Sequence, residues 1–116
     1  MEYLILNFFE VTMNLKIYHW KTTKYSEHIS CDELYTKLLG TMDRIAEVYL
    51  GTVPERFNIS SGNISITNIN TSADIKAYIS TFIAYFRTVA LSPELNNIRE
   101  EAIADCNRFL YLQTLR

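Results

Sequence analysis

Two imidazoles and two carboxylates stand out in this chain by their spacing: His19 and His28, then Asp43 and Glu47. His19, followed by Trp20, comes late in one amphipathic segment, and His28 comes early in the next. Asp43 and Glu47 lie further along that second segment, four positions apart, which puts both on one face of a helix. Imidazole nitrogen mixed with carboxylate oxygen is a donor set for Fe(II), Mn(II) or Zn(II). On one straight helix, however, His28 and Asp43 would be about 22 Å apart along the axis at about 1.5 Å rise per residue, too far to share an ion. One copy therefore carries two halves of a site that it cannot close, and metal binding by all four residues requires two chains to meet.

The elements that must position these groups follow from the hydrophobic pattern. Over residues 2–23, Leu4, Phe8, Val11, Leu15, Tyr18 and Thr22 recur in alternating steps of three and four, the stripe of a bundle helix, with His19 at its border. A second helix over 26–50, starting near Ser26 or Ser30, has Cys31, Tyr35, Leu38, Met42, Ile45 and Tyr49 as its seam. Ser30 with Glu33 has the form of a capping box, and Gly51 is a C-terminal stop. Residues 52–72, with Pro54, Gly62 and many Asn, Ser and Thr, break the pattern. Their length predicts a crossover, with a short extended piece in which Ile64, Ile66 and Ile69 are available to cover core. A third helix over 73–91 follows the cap candidate Ser72 and uses Ile75, Ile79, Phe82, Phe86 and Val89. Ser92 and Pro93 read as N-cap and first position of a fourth helix over 93–114, through Leu95, Ile98, Ala102, Cys106, Phe109 and Gln113.

The expected fold is an all-α four-helix bundle in a single domain, with a long crossover between helices 2 and 3. Short links make helices 1 and 2 an antiparallel hairpin, with His19 and His28 near its closed end, and do the same for helices 3 and 4. A two-fold dimer with antiparallel second helices would set the histidines of one copy opposite the carboxylates of the other, giving two identical sites.

Composition narrows the alternatives. The chain has 116 residues, 48% of them hydrophobic, and only three glycines and two prolines, enough for one compact domain with a real core. A formal charge of −2 without a run of lysines or arginines leaves no electrostatic footprint for nucleic acid or an anionic membrane. Cys31 and Cys106 lack a CxxC partner and fall in helical patterns, so they read as buried reduced thiols of a reducing, cytoplasmic compartment. Met1 to Phe9 is apolar but has no basic flank or cleavage site, and Asn7 and Glu10 interrupt it, so it reads as an amphipathic helix. No stretch has the length of a membrane span. Nucleophile elbows and Gly-rich phosphate loops are absent, which removes support for hydrolase and nucleotide-binding readings.

The segment HWKTTKYSEHISCDELYTKLLGTMDRIAEVYLG, from His19 to Gly51, resembles the Dps branch of the ferritin-like superfamily in its HW, its later His, its DELY and its D-x-x-A-E pattern. The resemblance covers the first two helices. It implies a ferritin-like bundle and an iron site of ferroxidase type between subunits, with His19 and His28 from one copy, Asp43 and Glu47 from its neighbour, and Trp20 as the flanking aromatic. The His19 to His28 interval is shorter than the family's usual one, and the lysine-rich tail that serves Dps proteins on DNA is missing. Across the whole chain, YHWKT, EVYLG and FLYLQTL are similar to short uncharacterised proteins of large bacteriophages and giant viruses. That similarity implies a host cytoplasm or virion location and other virion proteins as partners.

Each residue alone also has a plain structural reading. A histidine at a helix border is most often a core or surface residue, and Asp43 with Glu47 is equally a solvated acidic face near Arg44 and Lys37. The alternative function is therefore a metal-free structural or interaction bundle.

Overall fold

In the computed structural model, which describes residues 1–115, the apolar stripes form four helices. They are α1 (Glu2–Lys21), α2 (Tyr25–Leu50), α3 (Ser72–Thr88) and α4 (Pro93–Leu112). No strand occurs among the described residues. The seams meet in one apolar cluster that includes Phe8, Leu15, Leu38, Ile45, Ile75, Ile79, Phe86, Ala102 and Cys106. Phe8 sits edge-on to both Phe82 and Phe86, with ring centroids 5.5 and 5.3 Å away. Burial of each large side chain of this kind contributes about 1.5 to 3 kcal/mol.

The order around the bundle is α1, α2, α4, α3: α2 packs against α1 and α4, and α3 packs against α4 and α1. Every adjacent pair is antiparallel. Along α1 and α3, Tyr3 meets Tyr85 and Asn14 meets Tyr78. Along α2 and α4, Arg44 pairs with Glu101 and Lys37 with Asp105, while Gln113 donates to Ser30. Helices α2 and α3 are thus diagonal and parallel, and residues 51–71 must travel the length of the bundle to join them.

This crossover runs along α1 on hydrogen bonds rather than on a buried strand. Asn14, almost wholly buried, donates through Nδ2 to the Ser65 carbonyl at 3.0 Å and to Tyr78 Oη at 2.9 Å, and its Oδ1 accepts from the Thr67 N–H at 2.8 Å. Glu10 accepts from the Ser65 N–H. Ile69 reaches the core, but Ile64 and Ile66 are exposed, contrary to the expectation that all three cover it. The Ser65 and Thr67 N–H groups are taken by side chains of α1, which holds the segment there without a buried strand face.

Helix ends depart from the sequence reading in specific ways. The expected cap at Ser92 with Pro93 forms, Ser92 Oγ accepting from the Leu95 N–H. The Ser30 and Glu33 capping box does not form, because α2 already starts at Tyr25 and Ser30 lies buried within it, its hydroxyl directed to the Glu27 carbonyl. Thr71, not Ser72, caps α3 by accepting from the Asp74 N–H. Helix α3 stops at Thr88 rather than continuing to 91, since Arg99 of α4 donates to the Phe86 and Val89 carbonyls at its end. Helix α1 stops at Lys21 and leaves Thr22 extended, and α4 stops at Leu112. Cys31 and Cys106 are buried free thiols, as expected, and burial pushes both up to about 12.

Candidate metal half-sites at the two ends of α2

Residues 22–24 reverse the chain between α1 and α2 in extended conformations at Thr22 and Lys24. That reversal lays the last turn of α1 against the first turns of α2, and His19 and His28 meet across it. Their rings stack with centroids 3.8 Å apart and planes inclined by 14°. His19 Nδ1 lies 2.5 Å from the His28 carbonyl oxygen, and His28 Nδ1 lies 2.8 Å from the His19 carbonyl oxygen. A carbonyl oxygen only accepts, so both Nδ1 atoms carry the proton and donate. In the neutral rings each Nε2 then keeps its lone pair, the tautomer that second-shell bonds select in metal-ligating histidines. Neither Nε2 has a hydrogen-bond partner among the described residues. His19 is 8% exposed and His28 half-buried.

The surroundings of the pair add residues that sequence reading missed. Asp32, one turn beyond His28, takes a 2.8 Å bond from Lys16. That bond, reinforced by the positive charge of Lys16, outweighs burial and holds its carboxyl below the usual range. The signal was present as a His and an Asp four apart. Tyr25 lies over His28 with a centroid distance of 6.2 Å, whereas Trp20 is 68% exposed and pairs with no other ring among the described residues.

Just inside the histidines lies Glu27, only 5% exposed. Its Oε1 accepts from Tyr18 Oη at 3.0 Å and from Thr22 Oγ1 at 2.8 Å. Burial pushes this carboxyl up, but hydrogen bonds from Ser72, Thr22 and Tyr18 and the charge of Lys24 outweigh it, and the net shift is downward. Burial, reinforced by Glu27, raises the Tyr18 hydroxyl to about 12. Through Oε1, Glu27 thus ties the end of α1 to the reversal, while its Oε2 is buried without a hydrogen-bond partner among the described residues.

Asp43 and Glu47 occupy the other end of α2, where both are exposed. Neither is in an ion pair among the described residues, since neighbouring Arg44 turns to Glu101 and Lys37 to Glu33 and Asp105. One copy brings His19 to His28 and leaves Asp43 about 22 Å and Glu47 about 28 Å further along the helix, at about 1.5 Å per residue. Correspondingly, no three His, Cys, Asp or Glu side chains converge on one ion position among the described residues.

Architecture and geometry define an antiparallel four-helix bundle with one diagonal crossover and a stacked histidine pair at its hairpin end. The chain belongs to DUF5856, a family of unknown function, whose pattern matches residues 19–112 and so spans both half-sites. No curated protein and no solved structure matches it. Among the described residues no helix is long and apolar enough to cross a membrane.

Proposed function

We propose that this chain is a ferritin-like, Dps-like protein that binds iron between two copies, with His19 and His28 of one and Asp43 and Glu47 of the other as ligands. The observation that carries this reading is the reciprocal hydrogen bonding that fixes both imidazoles with Nδ1 donating and Nε2 uncommitted. A single long crossover between the second and third helices is also the connectivity of ferritin-like bundles, which supports the same reading. Fe(II) would be the substrate: the two imidazoles would hold it as neutral donors, the two carboxylates would balance its charge, and dissolved dioxygen or peroxide would accept the electron it loses. Mn(II) and Zn(II) suit the same donors and serve as probes. Trp20 is the exposed aromatic beside this half-site.

Complementation tests the reading directly. A His19→Ala/His28→Ala chain and an Asp43→Ala/Glu47→Ala chain should each lose metal binding, and their mixture should regain one site per heterodimer. For the wild type, Fe(II) or Zn(II) at a hundredfold excess over its dissociation constant should stabilise the folded dimer by about 2.7 kcal/mol. Acidification should weaken that effect, because protons compete for the imidazole lone pairs. Fe(II) oxidation faster with wild type than with the Asp43→Ala/Glu47→Ala chain would add turnover to binding.

The same reciprocal bonds favour a second reading, a metal-free structural bundle in which the histidines staple the α1–α2 reversal. It predicts no thermal shift with any divalent metal in a dimeric sample, and that result would displace the iron reading.

A further inference from the structure

A recess of about 260 Å³ lies at the hairpin end of the bundle, between the α1–α2 reversal and the start of α3. Glu27 lines it, with Tyr18 and Thr22 on one side and Thr71 and Ser72 on the other. This carboxylate is 5% exposed, and the Tyr18 and Thr22 hydroxyls satisfy only its Oε1. The Ser72 hydroxyl is close enough to influence the carboxylate but makes no hydrogen bond to Oε2. Among the described residues, Glu27 Oε2 and Gln113 Oε1 are the two buried side-chain acceptors without a partner, and both belong to this end. An ionised carboxylate only accepts, so Oε2 calls for a donor, and a buried anion is best met by a charged one.

The opposite sign gathers at the mouth. Lys21 and Lys24 are exposed there, and each donates to a neutral group, Lys21 to Asn68 Oδ1 at 3.3 Å and Lys24 to Ser72 Oγ at 3.0 Å. Neither lysine is in an ion pair among the described residues. The 17-residue helix α3 begins beside them: Thr71 caps the Asp74 N–H, while the Ser72 and Ala73 N–H groups have no partner among the described residues. Asp74, the carboxylate of this first turn, is committed to the Asn70 N–H at 3.1 Å. A helix start with free N–H groups receives a carboxylate from outside.

We infer that this recess binds a small zwitterion of the amino-acid class, with its ammonium group on Glu27 Oε2 and its carboxylate between Lys21, Lys24 and the first N–H groups of α3. An anion alone would lie against Glu27, and a cation alone against the lysines. Lys24 and Glu27 are three residues apart, about 4.5 Å at about 1.5 Å per residue, so a ligand that meets both carries its charges one or two carbons apart. The recess is larger than a single water requires. Entry parts the bond of Lys24 to Ser72, which is exposed and therefore weak, and Lys24 turns from Ser72 to the ligand.

Amide 1H–15N spectra of the full chain test this, recorded in chelator so that metal at the histidines has no part in the outcome. The Ser72 and Ala73 signals should shift saturably with glycine or L-serine, at concentrations at least tenfold lower than with methylammonium or acetate at matched ionic strength. Glu27→Gln keeps an oxygen for Tyr18 and Thr22 but gives up the charge, and it should weaken glycine binding at least tenfold. Lys21→Gln/Lys24→Gln, at exposed positions, should do the same with an unchanged melting temperature, and it decides the matter if Glu27→Gln fails to fold. No saturable shift in the wild type overturns the inference and leaves Oε2 to water. Acetate as good as glycine would make this an anion site, and methylammonium as good as glycine a cation site; either overturns it. Glycine binding that survives the substitutions unchanged does so as well.

Discussion

The two ends of α2 carry similar numbers of polar groups and treat them in opposite ways. At the hairpin end His19, His28 and Glu27 are withdrawn from solvent and held by bonds to carbonyls and hydroxyls. At the far end Asp43 and Glu47 stand exposed and unpaired among the described residues. The first arrangement is costly to disturb because the Tyr18 and Thr22 hydroxyls and the His19 and His28 carbonyls take their partners from it. The second costs the fold almost nothing, so nothing within one copy fixes those side chains. The proposed shared site would therefore set a half held fixed within one copy against a half whose side chains are free to adapt.

The contrast breaks first, if it is wrong, at Glu27. Replacing it by Ala strands the Tyr18 and Thr22 hydroxyls and should lower stability at neutral pH by about 2 to 4 kcal/mol in urea unfolding. The same group sets an acid limit. Its folded value lies below the ordinary 4.5, so its contribution is complete above that value and disappears as pH falls through the folded value. Unfolding measured from pH 7 to 3 should show this loss in wild type and a flatter profile in Glu27→Gln; identical profiles would remove Glu27 as the source.

A middle-sized effect belongs to the histidines. His28→Ala removes one bond to the His19 carbonyl and leaves the His19 ring without its stacking partner, for about 1 to 2 kcal/mol. Imidazole 15N spectra sharpen the point, since both rings should carry their proton on Nδ1; a spectrum with either ring protonated on Nε2 would contradict the geometry. Asp32→Asn should cost less, under about 1 kcal/mol, because its bond to Lys16 is half in solvent. Smallest of all, Asp43→Ala/Glu47→Ala should leave chain stability within about 0.5 kcal/mol of wild type in chelator, the lost repulsion being a few tenths. A large loss there would mean that the acidic end has a structural partner.

What could be read from the sequence follows the range of the interaction responsible. The stripes through Phe8, Leu38, Ile79 and Ala102 depend on local periodicity, and they mark the buried seams. The Ser92 and Pro93 start is equally local. Helix α3 ends at Thr88 because a guanidinium from α4 reaches its carbonyls, and no pattern near Thr88 announces Arg99. Ser30 and Glu33 form a convincing cap motif, but burial against α4 takes precedence over it. Glu27 looks like an ordinary acidic residue in a first helical turn, and its importance comes from the Tyr18 and Thr22 hydroxyls outside α2. For the histidines, spacing brought the two residues to one end, while their carbonyl partners arise only from the angle of the reversal.

Asn14 has a consequence for the order in which the chain closes. The α1–α2 hairpin joins neighbours across a three-residue reversal, a short search for a folding chain. The bonds of Asn14 to Ser65, Thr67 and Tyr78 reach over 51, 53 and 64 positions, so they form after that hairpin has a surface to offer. The crossover is thus laid down onto a finished hairpin, and Asn14 is a late latch: its loss should leave the folding rate nearly unchanged and quicken unfolding.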